Sequence, residues 1–329
     1  MGGKFNWGII GTGGIANAFA NDLKVLDDHE IKAVASRTRK KALEFSLKFK
    51  KCVPYHNYND FVSDSSLDAV YIATPNHLHM EHALLAINAG LPVLCEKPFA
   101  LNSKEVQTMM DAAKFKNVLL VEAMWSRFLP HMIEVKKIIN SGILGKIFTL
   151  HADHGQDLTD IKNPRLWKAE YGGGALLDLG IYVVSFAHLI LGKPNEIVAN
   201  TMLNEDGIDL QTSVILKYKT GAQAILNSTM INSTPCRAVI SGENGRIEIE
   251  PVFYAPSSFK VILKNGEIKD YPNKYQGHGL REQAVEFVKC INMKLLETPR
   301  MKHLDSLTVM KTIDKIREEI GLIFPNDSL

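Results

Sequence analysis

The chain has 329 residues, of which 46% are hydrophobic and 22% charged, a composition typical of a globular protein with two domains. Lysine and arginine number 38 against 36 acidic residues, so the net charge of +2 gives no reason to expect a nucleic acid or an anionic membrane as partner. We see no apolar run near the roughly 18 residues that a membrane helix needs, no secretory signal, and no close cysteine pair. We therefore expect a cytoplasmic protein that binds small molecules.

The first third of the chain alternates short apolar runs with helical patterns. Five apolar runs are typical of strands buried on both faces: NWGIIG, IKAVAS, DAVYIAT, LPVLCE and NVLLVEA. The segments between them have helical periodicity, as in IANAFANDLKVL and HLHMEHALLAINAG. This alternation predicts a doubly wound parallel sheet, a Rossmann domain, in residues 1–122.

A glycine-rich loop follows the first predicted strand. In a Gly-x-Gly-x-x-Ala motif the first glycine permits a tight turn, the second lets the backbone approach a pyrophosphate, and the small third residue lets helix and strand pack closely. A purely structural turn is the alternative. The motif predicts a dinucleotide site that includes Gly11, Thr12, Gly13, Gly14, Ile15 and Ala16.

The end of the second strand indicates which dinucleotide binds. Domains that bind NAD usually place an acidic residue there, but this strand continues into Ser36 and Arg37 and offers no acid. A hydroxyl and a guanidinium suit the 2′-phosphate of NADP. We predict NADP, with NAD as the alternative cofactor; an ordinary charged helix start is the structural alternative.

The fourth apolar run, LPVLCE, leads into Glu96-Lys97-Pro98. In an open parallel sheet, ligands bind beyond the carboxyl ends of the strands, so Lys97 is expected at the ligand crevice. Pro98 fixes the turn that follows. Position alone does not separate this interpretation from a surface lysine in a loop.

The pattern changes from residue 123. An amphipathic helix, a strand KIFTLHADHG and a helix GGGALLDLGIYVVSFAHLIL are followed by several strands joined by turn-like KTG and ENG, which predicts antiparallel pairing. Helices near 279–296 and 304–321 complete the chain. We predict that residues 123–329 form an α+β domain with an open, mostly antiparallel sheet.

Two polar residues stand four apart at the start of the glycine-opened helix. Asp178 and Tyr182 therefore share one helix face. A carboxylate and a phenol on a mostly apolar helix indicate a functional site, and a buried, hydrogen-bonded tyrosine is the structural alternative.

Three stretches resemble one enzyme family. GIIGTGGIA, ATPNHLHMEHALLAINAGLPVLCEKP and GGGALLDLGIY are similar to the glucose-fructose oxidoreductase/inositol dehydrogenase (Gfo/Idh/MocA) oxidoreductases, and EAMWSRFLP is similar to their dimeric dihydrodiol and D-xylose dehydrogenase branch. The resemblance covers nearly the whole chain. It implies a two-domain, NAD(P)-dependent enzyme for a sugar, cyclic polyol or trans-dihydrodiol, with Lys97 beside nicotinamide and substrate. It also implies a homodimer or higher homo-oligomer formed through the C-terminal sheet.

The resemblance extends the set of cofactor residues. It places Asn76 and His79 along the cofactor cleft, and we add Thr74 and Glu96 at the same strand ends. Much of the family has a D-x-G-x-H motif, which here ends in Tyr182, as in the dihydrodiol dehydrogenase and glucose-fructose oxidoreductase branches.

Alcohol oxidation requires a base within hydrogen-bond reach of the hydroxyl. The unperturbed pKa of tyrosine is about 10, and a nearby ammonium lowers it by favouring the phenolate. We predict Tyr182 as the general acid/base and Lys97 as the group that tunes it and binds the reacting oxygen. Asp178 is expected to orient the substrate or Lys97.

Other polar and aromatic residues have competing interpretations. We expect no metal at His77, His79 and His82, since no carboxylate or cysteine completes a set. A surface or interdomain salt bridge is the alternative role for Arg127, and core packing is the alternative for the two tryptophans. In the dihydrodiol branch a Phe is usual near position 154, so His154 changes the polarity of the expected pocket. The predicted substrate contacts are Trp125, Arg127, His154 and Trp167.

Two other functions are compatible with this fold, since fold does not fix function. One is a non-catalytic regulator that senses NADP, which the presence of both Lys97 and Tyr182 disfavours. The other is an NAD-dependent glycoside hydrolase, which would hold its cofactor tightly and show no net reduction.

Overall fold

The structure, a computed structural model, describes residues 3–328 and consists of fourteen strands and ten helices within that range. The first six strands are β1 Phe5–Ile10, β2 His29–Ala35, β3 Val53–Tyr55, β4 Ala69–Ile72, β5 Val93–Glu96 and β6 Leu120–Ala123. The other eight are β7 Ile147–Gly155, β8 Glu196–Leu203, β9 Asp209–Lys217, β10 Gln223–Thr229, β11 Ala238–Gly242, β12 Gly245–Ile249, β13 Phe259–Leu263 and β14 Ile268–Tyr271.

In chain order, the first five α-helices lie between strands of the first sheet, the next three lie between β6 and β8, and the last two follow β14. They are α1 Gly14–Asp22, α2 Arg39–Ser46, α3 Tyr58–Val62, α4 His79–Asn88, α5 Ser103–Lys116, α6 Pro130–Asn140, α7 Pro164–Trp167, α8 Ile181–Leu191, α9 Arg281–Asn292 and α10 His303–Ile320.

The first sheet is parallel, with strand order β3-β2-β1-β4-β5-β6. This order is that of a doubly wound dinucleotide-binding fold and confirms the predicted fold class. The five predicted strands are all present. The short edge strand β3 was not predicted, because its residues are largely exposed and include Pro54, so they form no apolar run.

The second sheet has the order β14-β13-β12-β11-β7-β10-β9-β8. Neighbouring strands in this sheet pair antiparallel, except for β7 and β10, which pair parallel. The prediction of an open, mostly antiparallel sheet is therefore confirmed.

Contacts within the chain divide it into two compact units. The first is Met1–Trp125 with Gly277–Ser306, and the second is Ser126–Gln276 with Leu307–Leu329. This division differs from the predicted 1–122 and 123–329 mainly in assigning α9 to the first unit. The reason is the buried carboxylate of Asp22 at the end of α1, which accepts hydrogen bonds from the backbone N–H groups of Gly279 (3.1 Å) and Arg281 (2.9 Å) before α9 begins.

The segment Ala169–Leu191 corrects one expectation. It is long and apolar enough to cross a membrane by length and composition, although no such run was expected from the sequence. In the structure 78% of its apolar window is buried inside the protein, as in the core helix of a globular unit. The segment contains a π-helical turn, Leu176–Gly180, directly before α8.

Candidate active site

The glycine loop joins β1 to α1. Gly11 has a φ of +115°, and a Cβ there would lie 2.4 Å from the carbonyl oxygen of Ala73, so both conformation and packing require glycine. A Cβ on Gly13 or Gly14 would meet nothing within 4 Å. Ala16 is fully buried. The loop thus leaves open space in front of the N-terminus of α1, which suits a phosphate group.

Two residues that were not predicted hold this loop. Asn17 donates its amide hydrogens to the carbonyl oxygens of Thr12 (3.2 Å) and Gly13 (2.7 Å). Lys48 donates in turn to the side-chain oxygen of Asn17 (2.7 Å). These contacts fix the carbonyl oxygens of Thr12 and Gly13, so side chains of the protein itself hold the loop in this conformation. Asn17 follows the glycine motif closely, but no sequence signal connects Lys48 with it.

The end of β2 supplies a hydroxyl and a guanidinium. Ser36 is buried, and its Oγ lies 3.5 Å from the Oγ1 of Thr12, while Arg37 is exposed. The rings of Tyr58 and His82 pack at 4.7 Å beside this strand end. Burial lowers the pKa of His82 to about 4, and the Arg37 guanidinium acts in the same direction. Near neutral pH the positive charge at this point therefore belongs to Arg37.

The loops after β4 and β5 are joined by polar contacts. The imidazole of His79, only 1% exposed, lies 2.8 Å from the carbonyl oxygens of both Thr74 and Pro98. Asn76 is also buried at this edge. Within the described part of the chain, no group of three His, Cys, Asp or Glu residues is placed to hold a metal ion. His79 and His82 have hydrogen-bond partners within the protein.

Glu96 and Lys97 differ in their surroundings at the end of β5. The carboxylate of Glu96 is buried and accepts hydrogen bonds from the hydroxyl of Tyr71 and from the backbone N–H of Lys97 (3.2 Å). Burial raises the pKa of Glu96 to about 7, an effect that Tyr71 and Lys97 partly offset. Glu96 thus anchors the strand end, and its predicted contact with the cofactor stays a prediction. Lys97 is half-buried and precedes Pro98 through a cis peptide bond.

In the second unit, Tyr182 lies in an aromatic cluster at the start of α8. Its ring is 4.7 Å from that of Tyr254 and 5.2 Å from that of His154, and the His154 and Tyr254 rings stack at 4.0 Å. Asp178, in the π-helical turn before α8, accepts a hydrogen bond from the guanidinium of Arg165 at 3.1 Å. The structure therefore brings Tyr182, Asp178 and His154 to one region of this unit.

His154 is held in one neutral form. Its Nδ1 lies 3.2 Å from the carbonyl oxygen of Leu179, and its Nε2 lies 3.0 Å from the amide nitrogen of Gln156. Since a carbonyl can only accept and an amide nitrogen only donates, Nδ1 carries the proton and Nε2 accepts, an assignment that rests on the hydrogen-bond network. The same amide donates to the hydroxyl of Tyr254 at 3.1 Å. Burial raises the pKa of Tyr254 to about 12.

Sequence reasoning missed both Gln156 and Tyr254. Gln156 lies two residues after His154, directly beyond the end of β7, and this closeness in sequence was a usable signal. Tyr254 follows β12, far from α8 in sequence, and no local pattern marks it.

The remaining predicted substrate residues have structural contacts within their own units. Arg127 is buried and donates from Nε to the hydroxyl of Ser185 (3.0 Å) and from Nη2 to its carbonyl (2.9 Å), so its partners include a hydroxyl and a carbonyl of α8. The indole N–H of Trp167 donates to the carbonyl of Ile161 at 2.7 Å. Trp125 is buried and packs against the ring of His278 at 5.3 Å. Their contact with a substrate stays a prediction.

Two family models match the chain: "Oxidoreductase family, NAD-binding Rossmann fold" over residues 5–124 and "GFO/IDH/MocA C-terminal domain" over residues 132–248. A trans-1,2-dihydrobenzene-1,2-diol dehydrogenase from Danio rerio is 34% identical and covers 98% of both chains. The chain belongs to the Gfo/Idh/MocA family. The family resemblance found in the sequence is thereby confirmed.

Two further Gfo/Idh/MocA relatives span nearly all of the chain. The scyllo-inositol 2-dehydrogenase (NADP(+)) IolU from Bacillus subtilis (strain 168) is 32% identical and covers 97% of this chain and 98% of its own. The crystal structure of KijD10, a 3-ketoreductase from Actinomadura kijaniata in complex with NADP and TDP-benzene, superimposes with a TM-score of 0.85 at 25% identity, covering 96% of this chain and 98% of that one. Both units described above therefore have counterparts in the family.

Proposed function

We propose that this chain transfers hydride between NADP and a hydroxyl or carbonyl carbon of a sugar, cyclic polyol or trans-dihydrodiol, with Tyr182 as the general acid/base and Lys97 as its partner. The enzyme class is that of an NADP-dependent dehydrogenase, as predicted; the scyllo-inositol 2-dehydrogenase carries NADP(+) in its name, and KijD10 was crystallised in complex with NADP. The specific roles of the residues rest on the geometry of each unit.

The first unit fits the cofactor at two points. The open N-terminus of α1, with Gly13 and Gly14, would hold the pyrophosphate, and Ser36 with Arg37 would hold the 2′-phosphate. NADP, when bound, accepts or supplies the hydride. Thr12, Ile15, Thr74 and Asn76 complete the proposed cofactor surface.

The observation that carries the acid/base assignment is the aromatic cluster of the second unit. Both ring nitrogens of His154 already have partners within the protein, which supports Tyr182 rather than His154 as the proton carrier. The pKa of Tyr254, raised to about 12 by burial, keeps that phenol protonated. Proton exchange in the cluster is therefore assigned to Tyr182.

In the oxidative direction, the Tyr182 phenolate takes the proton of the substrate hydroxyl while hydride leaves the carbon. The ammonium of Lys97 favours the phenolate and donates a hydrogen bond to the reacting oxygen as charge develops on it. Asp178, held by Arg165, orients a neighbouring substrate hydroxyl. In the reductive direction Tyr182 returns the proton.

The open face of the second sheet supports the predicted homodimer. Val198, Ile215 and Ile225 stand in one cross-strand row on β8, β9 and β10, and they are 42%, 37% and 39% exposed. A contiguous apolar stripe on a sheet is typical of an interface, here with a second copy of the chain. Ile215→Arg should convert a dimer to a monomer in light scattering; a monomeric wild type, or a dimeric variant, would contradict the proposal.

A cytoplasmic location stays a prediction. All four cysteines are free thiols in the described part of the chain: Cys52, Cys95, Cys236 and Cys290. Free thiols are usual in reducing compartments.

The test of function is cofactor reduction, followed by absorbance, with NADP and NAD offered separately against aldoses, inositols and trans-dihydrodiols. Wild type should turn over with NADP, Tyr182→Phe should not, and Tyr254→Phe should keep turnover because its phenol stays protonated. Binding of NADP without turnover on any substrate would instead favour the NADP-sensing regulator. Nicotinamide that survives dialysis without net reduction would favour the glycoside hydrolase.

A further inference from the structure

His79 links the two loops that border the site of the first unit. It is the first residue of α4, and its ring lies 2.8 Å from the carbonyl oxygens of Thr74 and Pro98. Thr74 follows β4, and Pro98 follows Lys97 at the end of β5. One buried side chain thus joins a proposed cofactor loop to the loop of the proposed catalytic lysine.

Lys97 is held from both sides by such contacts. The backbone N–H of Lys97 donates to the carboxylate of Glu96 at 3.2 Å, and the carbonyl of the next residue, Pro98, meets the His79 ring. The thiol of Cys95 adds a weaker contact with the carbonyl of Phe99 at 3.9 Å. The backbone around Lys97 is therefore fixed by contacts with Glu96 and His79.

The buried surroundings of the His79 ring disfavour its charged form. Burial lowers the pKa of His79 to about 4; the hydrogen bonds with the Pro98 and Thr74 carbonyls oppose this shift, and the charges of His82 and Lys97 add to it. A neutral ring has one N–H, so near pH 7 it donates a hydrogen bond to one of the two carbonyls and packs against the other. A side chain that served only to fill space at this position would not need to face two carbonyls.

We propose that His79 is a positioning residue for Lys97: its contacts with the Pro98 and Thr74 carbonyls fix the loop that carries the lysine relative to the cofactor loop. The inference rests on the proposed function, because it presupposes that Lys97 acts on the reacting oxygen and on Tyr182. Small displacements of a catalytic group have large effects on rate.

The experiment measures kcat, the KM for NADP and the pH profile of kcat for His79→Phe, which keeps a ring but loses both polar contacts. We expect kcat to fall about 10- to 100-fold, as for a misplaced catalytic group, with a smaller change in the KM for NADP. The limb of the kcat profile should move to higher pH, because a displaced ammonium no longer favours the phenolate.

His79→Gln is the conservative variant. Its amide can still donate to a carbonyl, so it should recover part of kcat and move the pH limb back toward the wild-type position. It also keeps the test decisive if His79→Phe does not fold. A folded His79→Phe with wild-type kcat and an unmoved pH limb would overturn the inference, even if its thermal stability were lower. A His79→Gln whose kcat falls as far as expected for His79→Phe, with an unmoved pH limb, would overturn it as well.

His82→Phe is the matched comparison. His82 lies one turn further along α4, is also buried, and meets the hydroxyl of Thr74 (3.1 Å) rather than the Lys97 loop. It should change the KM for NADP more than the pH limb of kcat, and the reverse would contradict the proposal.

Lys97→Met distinguishes a failure of the proposed role of Lys97 from a failure of the proposed role of His79. If Lys97→Met retains kcat, the proposed role of Lys97 is wrong, and the role of His79 falls with it. If Lys97→Met loses kcat while His79→Phe retains it, only the inference about His79 is wrong.

Discussion

The glycine loop of the first unit and the aromatic cluster of the second were assembled in different ways. The loop presents backbone groups, and its residues Gly11, Gly13 and Ala16 lie within one short motif. The cluster presents side chains, and His154, Tyr182 and Tyr254 come from three separate parts of the chain. Local sequence is therefore enough to predict the glycine loop, whereas the contacts around Tyr182 become visible only when the strands and α8 are in place.

The largest expected effect tests the proposed role of Lys97. Lys97→Met should lower kcat by about 10²- to 10³-fold, the range for removal of one donor to a developing charge, because the reacting oxygen loses its ammonium. Steady-state kinetics at saturating NADP measures this effect. The exposed Lys104→Met is the matched control and should keep wild-type kcat; equal kcat for both variants would contradict a role for Lys97.

The next effect tests cofactor choice in the first unit. Arg37→Ala should raise the Kd for NADP about 10- to 100-fold, since hydrogen bonds to charged groups contribute about 1.5–3 kcal/mol. The Kd for NAD should stay nearly constant, because NAD lacks the 2′-phosphate. Titration calorimetry with both cofactors measures the difference, and a parallel loss for both would assign Arg37 a structural role.

A pair of glycine variants separates folding from binding within the loop. Gly11→Ala should destabilise the protein by about 1–3 kcal/mol or more, because its φ of +115° and the Ala73 carbonyl at 2.4 Å both oppose a Cβ. Gly13→Ala should unfold at nearly the wild-type temperature yet bind NADP more weakly, because its Cβ enters the open space in front of α1. Thermal unfolding with and without NADP distinguishes them; equal losses of stability would contradict this division of roles.

The most gradual effect concerns the scaffold of the second unit. The buried carboxylate of Asp209 accepts hydrogen bonds from the N–H of Leu176 (2.7 Å) and the hydroxyl of Thr212 (2.9 Å), and burial raises its pKa to about 7. Because the folded protein then binds a proton that the unfolded chain has released, Asp209 makes stability fall as pH rises from about 4 to about 7, by at most about 1.4 kcal/mol per pH unit.

Asp209→Asn should therefore flatten the pH dependence of the free energy of unfolding in that window. Asparagine keeps an acceptor oxygen for the two donors and carries no titrating group. Urea unfolding at several pH values measures the slope, and an unchanged slope in Asp209→Asn would show that another group causes it.

The same contrast, between features local in sequence and contacts distant in sequence, decides how much of the fold could be predicted. The parallel sheet was predictable because its central strands are buried on both faces, which gives apolar runs in the sequence. The attachment of α9 to the first unit was not predictable, since it depends on Asp22 bonding to backbone more than two hundred residues away.

The candidate site also contains both residues predictable from local sequence and contacts that depend on packing. Strand ends and helix spacing predict Lys97 and Tyr182 as site residues, which stay predictions, but they do not indicate the partners that fix neighbouring side chains. Ser185 as the partner of Arg127, and Leu179 as the partner of His154, are contacts that only the packed structure defines.

The most direct test of the central claim is the pH dependence of kcat for alcohol oxidation with NADP, in wild type and in Lys97→Met. The account predicts that one ionisation, that of Tyr182, controls a rise of kcat with pH, and that loss of the Lys97 ammonium moves this rise to higher pH. A rise at the same pH in both proteins would contradict the pairing of Lys97 with Tyr182 and would require another acid/base.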